Sequence, residues 1–126
     1  MDGPTTISLV CAIAIPNMFL WTWFDQRIKS QTEVLVTGAF NGRPASIGDR
    51  RLMLLSWIIA VASAIGFQTI FTFAYWMLSK NAATGEARAF AQLYAFFSAT
   101  GVVAHVVFAS VGLVRFRRLF FYGDTP

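Results

Sequence analysis

Absences set the first limits on this chain. A single cysteine, Cys11, rules out a disulfide within one copy and leaves the redox compartment open. A single histidine, His105, rules out a zinc cluster of His and Cys, and a bis-histidine haem would take its second ligand from another chain. Charge is scarce, with 13% of residues charged against about 25% in soluble domains. The six acids stand at the ends of apolar runs or in connections, so none pairs with another inside a run for general acid and base work. No phosphate-cradling glycine motif and no set of nucleophile, base and orienting group is present. Catalysis by this chain alone is not expected.

What is abundant is apolar surface, at 56% of residues. Three uncharged stretches each approach or exceed the roughly 20 helical residues that cross a hydrocarbon core of about 30 Å. They run from Ile7 to Phe24, from Leu52 to Leu78 and from Ala89 to Val114. In lipid every backbone N–H and C=O needs an internal partner, and the alternating pattern of barrel strands is missing, so each stretch is expected to be a helix. The fold class is therefore an all-α integral membrane protein of three transmembrane helices, in one domain of 126 residues. The first stretch lacks a basic flank and a cleavage site of small residues followed by hydrophilic chain, and it is read as a retained span.

The basic residues give an orientation. Arg27, Lys29, Arg43, Arg50 and Arg51 fall in the connection 25–51, and Arg115, Arg117 and Arg118 in the tail 115–126, against Lys80 and Arg88 in the turn 79–88. Retention of basic residues on the inner side predicts the N-terminus out and the C-terminus in, in a bacterial inner membrane or an organellar inner membrane. The net charge of +4 then reflects topology, and no basic module for nucleic acid is large enough to exist here. Arg27, Lys29, Arg50, Arg51, Arg115, Arg117 and Arg118 are the candidates for lipid headgroups. Aromatic residues at the run ends, Trp21, Trp23, Tyr75 and Trp76 among them, are expected at the headgroup level. In the connection 25–51 the polar stretch after Asp25 can extend the first helix. The run Val34 to Val36 is expected to pair locally or lie on the membrane or a partner, ahead of the turn chemistry of "NGRP" and "SIGD".

Lipid removes the usual hydrophobic drive between helices, so small residues and buried polar groups must hold them together. The third run carries a stripe in which Ala91, Ser98, His105 and Gly112 recur every seven residues, with Gly101 and Ala109 on the same side. The second run offers Ser63, Gly66, Gln68 and Thr72. These faces, joined by the short "SKNAATGEAR" turn, predict an antiparallel hairpin. In the first run Pro16 frees the carbonyl of Ala12, and Asn17 places an amide in apolar surroundings. A kink there with Asn17 turned toward the other helices satisfies both.

The pentapeptide "GVVAH", Gly101 to His105, resembles the Ala-x-x-x-His pattern of bacterial light-harvesting polypeptides. That resemblance implies a bacteriochlorophyll ligated by His105, with the small residue at Gly101 making room for the ring, and haem is the other tetrapyrrole that His105 could hold. The other readings of His105 are a hydrogen bond that joins helices and a place on a proton or substrate path. The expected function is a noncatalytic accessory or assembly subunit of a larger membrane complex, respiratory or photosynthetic, touching lipid and other transmembrane chains. The alternatives are a homo-oligomeric channel or transporter with Asn17, Gln68, Thr72 and His105 lining a path between copies, and a tetrapyrrole-binding subunit.

Overall fold

A computed structural model describes residues 1–117, and Arg118 with the rest of the tail lies outside the described residues. Three long helices dominate, α1 (Gly3–Thr37), α2 (Ile47–Asn81) and α3 (Gly85–Phe116), all long and apolar enough to cross a membrane. Each starts on a side-chain cap that satisfies a backbone N–H the helix itself cannot. Asp2 accepts from the N–H of Thr5 at 2.8 Å, and Thr84 accepts from that of Ala87 at 3.2 Å. Ser46 and Asp49 form a reciprocal capping box at the start of α2.

The helices overrun the apolar stretches that announced them. α1 continues 13 residues past Phe24, because nothing between Pro16 and Gly38 breaks a helix and because its buried positions continue without interruption. Val10, Asn17, Phe24 and Gln31 recur every seven residues, and Ala14, Ile28 and Leu35 belong to a second such series in which the exposed Trp21 is the one break. The run Val34 to Val36 is consequently the last turn of a helix, with Leu35 buried and Val36 exposed. Gly38 then ends α1 in the left-handed conformation at φ 69°, its N–H bonded to the carbonyl of Val34.

The architecture is all-helical apart from one small element in the connection between α1 and α2. Ala39–Phe40 (β1) and Arg43–Pro44 (β2) pair antiparallel in a minimal hairpin. Asn41 and Gly42 turn it with φ of 51° and 76°, the positive values that a two-residue turn of matching twist demands. The turn chemistry of "NGRP" thus closes a hairpin inside a connection of nine residues, 38–46, much shorter than the apolar boundaries suggested.

The three helices pack side by side, with α2 touching both others most extensively. Contacts run in opposite order along each neighbouring pair: Gln31 meets Ser56 while Asn17 meets Tyr75, and Tyr75 meets Tyr94 while Trp57 meets Phe116. α2 is therefore antiparallel to both α1 and α3. Its own seam, Leu54, Val61, Gln68 and Tyr75, keeps the same seven-residue period. Such a period stays on one face when helices wind gently around each other. Two apolar clusters result. One near the hairpin end gathers Phe24, Leu35, Leu54, Trp57, Val61 and Phe116, and one near the opposite end gathers Val10, Tyr75, Ala91 and Ala95. At that opposite end the carbonyl of Met1 accepts from the N–H of Ala83, tying the start of the chain to the turn between α2 and α3.

Candidate functional site

Between the two apolar clusters lies a buried polar layer supplied by all three helices. Asn17 of α1 donates through Nδ2 to the hydroxyl of Tyr75 at 3.1 Å and accepts at Oδ1 from Gln68 Nε2 at 3.2 Å. Ser98 of α3 closes the set, its hydroxyl 2.9 Å from Gln68 Oε1 and 3.1 Å from the carbonyl of Gln68. Helical side chains lean toward the N-terminal end of their own helix, which brings the Tyr75 hydroxyl back from the Asn81 end of α2 to the level of Asn17. Four amide or hydroxyl groups buried singly in hydrocarbon would each lose their hydrogen bonds to water. Placed together, they satisfy one another.

The other expected members of this face divide. Thr72 is half-buried and donates to the carbonyl of Gln68, four residues back on its own helix. Ser63 is half-buried, and Ala109 is half-buried against the large apolar cluster. Gly66 is a correction. It is exposed, and an added Cβ there would meet open space, because the seam runs through positions 61, 64 and 68 and leaves 66 on another face.

His105 is half-buried, with Nδ1 2.8 Å from the carbonyl of Gly101. A carbonyl accepts only, so the neutral imidazole carries its proton on Nδ1 and leaves Nε2 as the acceptor. The ring meets the indole of Trp21 edge to face at 5.6 Å between centroids. Trp21 also decides the fate of the tetrapyrrole pattern. A Cβ added at Gly101 would fall 2.3 Å from Trp21 Cη2, so the indole itself fills the space that the resemblance reserved for a macrocycle. The residues do not fit that group at Gly101. The glycine admits a tryptophan from α1.

The same device recurs at Gly112, where an added Cβ would lie 2.5 Å from Trp57 Cη2. Trp57 is 1% exposed and donates its indole N–H to Thr32 Oγ1 at 3.0 Å, whereas Trp21 is 37% exposed. Sequence reasoning placed Trp21 at the headgroup level and gave Trp57 no role. The signal that would have found both is their seven-residue spacing from buried positions, Trp21 between Ala14 and Ile28 and Trp57 ahead of Ala64, opposite the two glycines that share a face of α3.

Two grooves open between α1 and α3 on either side of Trp21. One of about 660 Å3 is lined by Trp21, Asp25, Lys29, Glu33, His105 and Phe108 among others, and one of about 420 Å3 reaches Asn17, Tyr75 and Ser98. Among the described residues no group of three or more His, Cys, Asp or Glu is placed to hold a metal ion.

Comparisons with protein-family models, with curated proteins and with solved structures found no match to this chain. Its chemistry is read from its own side chains.

The basic residues stand as follows. Arg27 lies over the Trp23 ring at 5.4 Å, and Arg115 over Phe116 at 5.9 Å. Lys29, Arg51 and Arg117 are exposed. Arg50 is half-buried, and Nη2 donates to the carbonyl of Leu35 at 3.3 Å. A cation at the C-terminal end of α1 complements the helix dipole and an unpaired carbonyl.

Proposed function

We propose that this chain is a noncatalytic small subunit of a larger membrane assembly, whose role is to present a pre-formed three-helix surface to neighbouring transmembrane chains and lipid. The observation that carries this reading is the closure of Asn17, Gln68, Tyr75 and Ser98 on one another inside a single copy. Side chains used as glue within one bundle do not line a path between copies, which weighs against the homo-oligomeric channel. What the bundle turns outward is apolar: Ile15, Met18 and Phe19 on α1, Ile59 and Ile70 on α2, Phe96 and Val103 on α3. Such faces suit acyl chains and the sides of other membrane helices, where association rests on packing.

The proposed placement is N-terminus out and C-terminus in, in a bacterial inner membrane or an organellar inner membrane. It rests on the basic residues of the α1–α2 end and the end of α3, set against Lys80 and Arg88 at the other end. The lone Cys11 makes this testable. In a Cys11→Ser background, Asn81→Cys is expected to react with an impermeant maleimide added outside sealed cells, and Ser46→Cys only after the membrane is opened. The reverse pattern would invert the topology. The subunit role is tested by purification from the native membrane in mild detergent. Unrelated chains recovered in fixed ratio support it, and a pure homo-oligomer refutes it.

A further inference from the structure

Near the hairpin end one buried polar side chain is only half satisfied. Gln31 of α1 is 7% exposed; its Nε2 donates to Ser56 Oγ of α2 at 2.7 Å, while its Oε1 meets no donor among the described residues. An amide oxygen shut away from water in this way is costly, and it asks for an N–H or O–H. Gln31 forms part of the wall of a groove of about 880 Å3 between α1 and α2, together with Trp23, Arg27, Asp49, Leu52 and Met53. The last torsion of a glutamine is broad, so the amide can turn its oxygen toward a donor that arrives in the groove.

The charges around the groove narrow the choice of donor. Among the described residues Arg27 is its one cation, held over the Trp23 ring at 5.4 Å, and Asp49 its one anion, exposed at the start of α2. Arg27 lies one turn nearer the apolar span than Gln31, about 6 Å at about 1.5 Å per residue. Asp49 lies on the other side of Gln31, because Ser56 meets Gln31 and Asp49 comes about two turns earlier on the antiparallel α2. From the membrane outward the groove therefore reads cation, amide oxygen, carboxylate. A phospholipid seated there brings its phosphate to Arg27, and the group beyond the phosphate has to carry a donor and suit a carboxylate. An ethanolamine ammonium has three donors, no acceptor and a positive charge. Choline has the charge without an N–H, and glycerol has donors without the charge.

We propose that this groove binds phosphatidylethanolamine from the leaflet at the hairpin end, its phosphate on Arg27 and its ammonium donating to Gln31 Oε1 in the field of Asp49. The acyl chains leave past Trp23 along the outer faces of α1 and α2. This deepens the reading of the chain as a surface for lipid, and it rests on the hairpin end lying at the headgroup level.

The test uses the full-length chain in nanodiscs of phosphatidylcholine with a minor share of phosphatidylethanolamine of the same acyl chains. Native mass spectrometry then reads which lipid stays bound when the bilayer is stripped away. One retained phosphatidylethanolamine per chain is expected, enriched about tenfold over its share of the bilayer, the scale of one hydrogen bond. Stepwise N-methylation of the ethanolamine needs no variant, and it is expected to lower that enrichment and abolish it at choline. Gln31→Met keeps the volume, removes the acceptor and is expected to abolish the enrichment, whereas Arg27→Gln is expected to weaken retention of both lipids. Equal retention of the two lipids by the unaltered chain, stronger retention of phosphatidylglycerol than of phosphatidylethanolamine, or an unchanged enrichment in a folded Gln31→Met would each overturn the proposal. None of these results touches the subunit role, which is decided by the chains recovered from the native membrane.

Discussion

The hairpin end of the bundle and its middle hold their helices together by different means. Around Trp57 the contact is one of volume: a large buried ring from α2 enters the gap over Gly112 on α3, flanked by Leu35, Leu54 and Phe116. Around Gln68 the contact is one of hydrogen bonds, among the side chains of Asn17, Gln68, Tyr75 and Ser98. Lipid tails are as apolar as leucine, so the first arrangement gains little from hydrophobicity and depends on close fit, while the second depends on denying polar groups any other partner. Volume errors should therefore break the first region, and chemistry errors of equal volume the second.

The largest effect is expected for Gly112→Val. Trp57 is buried and tied to Thr32, so its ring has nowhere to go when side-chain atoms arrive where the glycine made room. Overpacking should cost on the order of 3 kcal/mol, measured as unfolding in mixed micelles. Adding Trp57→Leu should recover part of it. If the double variant is no more stable than the single one, the complementarity of this pair is not what holds the hairpin end.

Next comes Gln68→Leu, nearly unchanged in volume. It leaves Asn17 Oδ1 and the Ser98 hydroxyl without their side-chain partner, and an interhelical bond of this kind is worth about 0.6 to 1.7 kcal/mol in a membrane. A loss of about 1 kcal/mol is expected in the same unfolding measurement. No loss at all would mean that the polar layer is dispensable for stability, and the division between the two regions would fall.

A smaller effect is expected at the other glycine. Gly101→Ala meets Trp21 even more closely than the equivalent atom at Gly112 meets Trp57, yet Trp21 is more than a third exposed and borders an open groove. The indole can swing outward, and the gain in helix propensity of up to about 1 kcal/mol offsets the disturbance. A net change near zero is expected, together with a change in Trp21 fluorescence. A cost equal to that at Gly112 would show that Trp21 is as fixed as Trp57.

These contrasts also mark what the amino-acid order discloses. The three long apolar helices are visible because a run of some 18 to 27 uncharged residues has few other solutions, and the stripe of Ala91, Ser98, His105 and Gly112 marks one face of α3. That α1 can continue past Asp25 was legible, but its full reach to Thr37, through the run Val34 to Val36, was not, because the polar residues between interrupt the apolar run without ending a helix. The glycines at 101 and 112 were readable as small, but which ring enters each gap depends on the register between helices. No single helix encodes that register. Asn17 and Gln68 announced themselves as polar groups in apolar runs, while the reach of Tyr75 to Asn17 across 58 residues of sequence needed the antiparallel packing of α1 and α2.

The smallest expected effect lies outside both regions, at the N-cap of α1. Hydrogen bonds from Thr5, from its side chain and its backbone N–H, hold the Asp2 carboxyl below the ordinary carboxylate range. A group whose folded value is depressed adds stability that is fully present above its unfolded value, about 3.9, and is lost as pH falls through the lower folded value. Because Asp2 is fully exposed, solvent screens the interaction and the slope should be shallow. Stability measured from pH 6 downward should therefore hold level until about pH 4 and then decline, with that part of the decline absent in Asp2→Asn. Asparagine caps α1 without titrating, so the variant separates loss of charge from loss of the cap. A decline of the same size in the variant would show that it does not come from the Asp2 carboxyl.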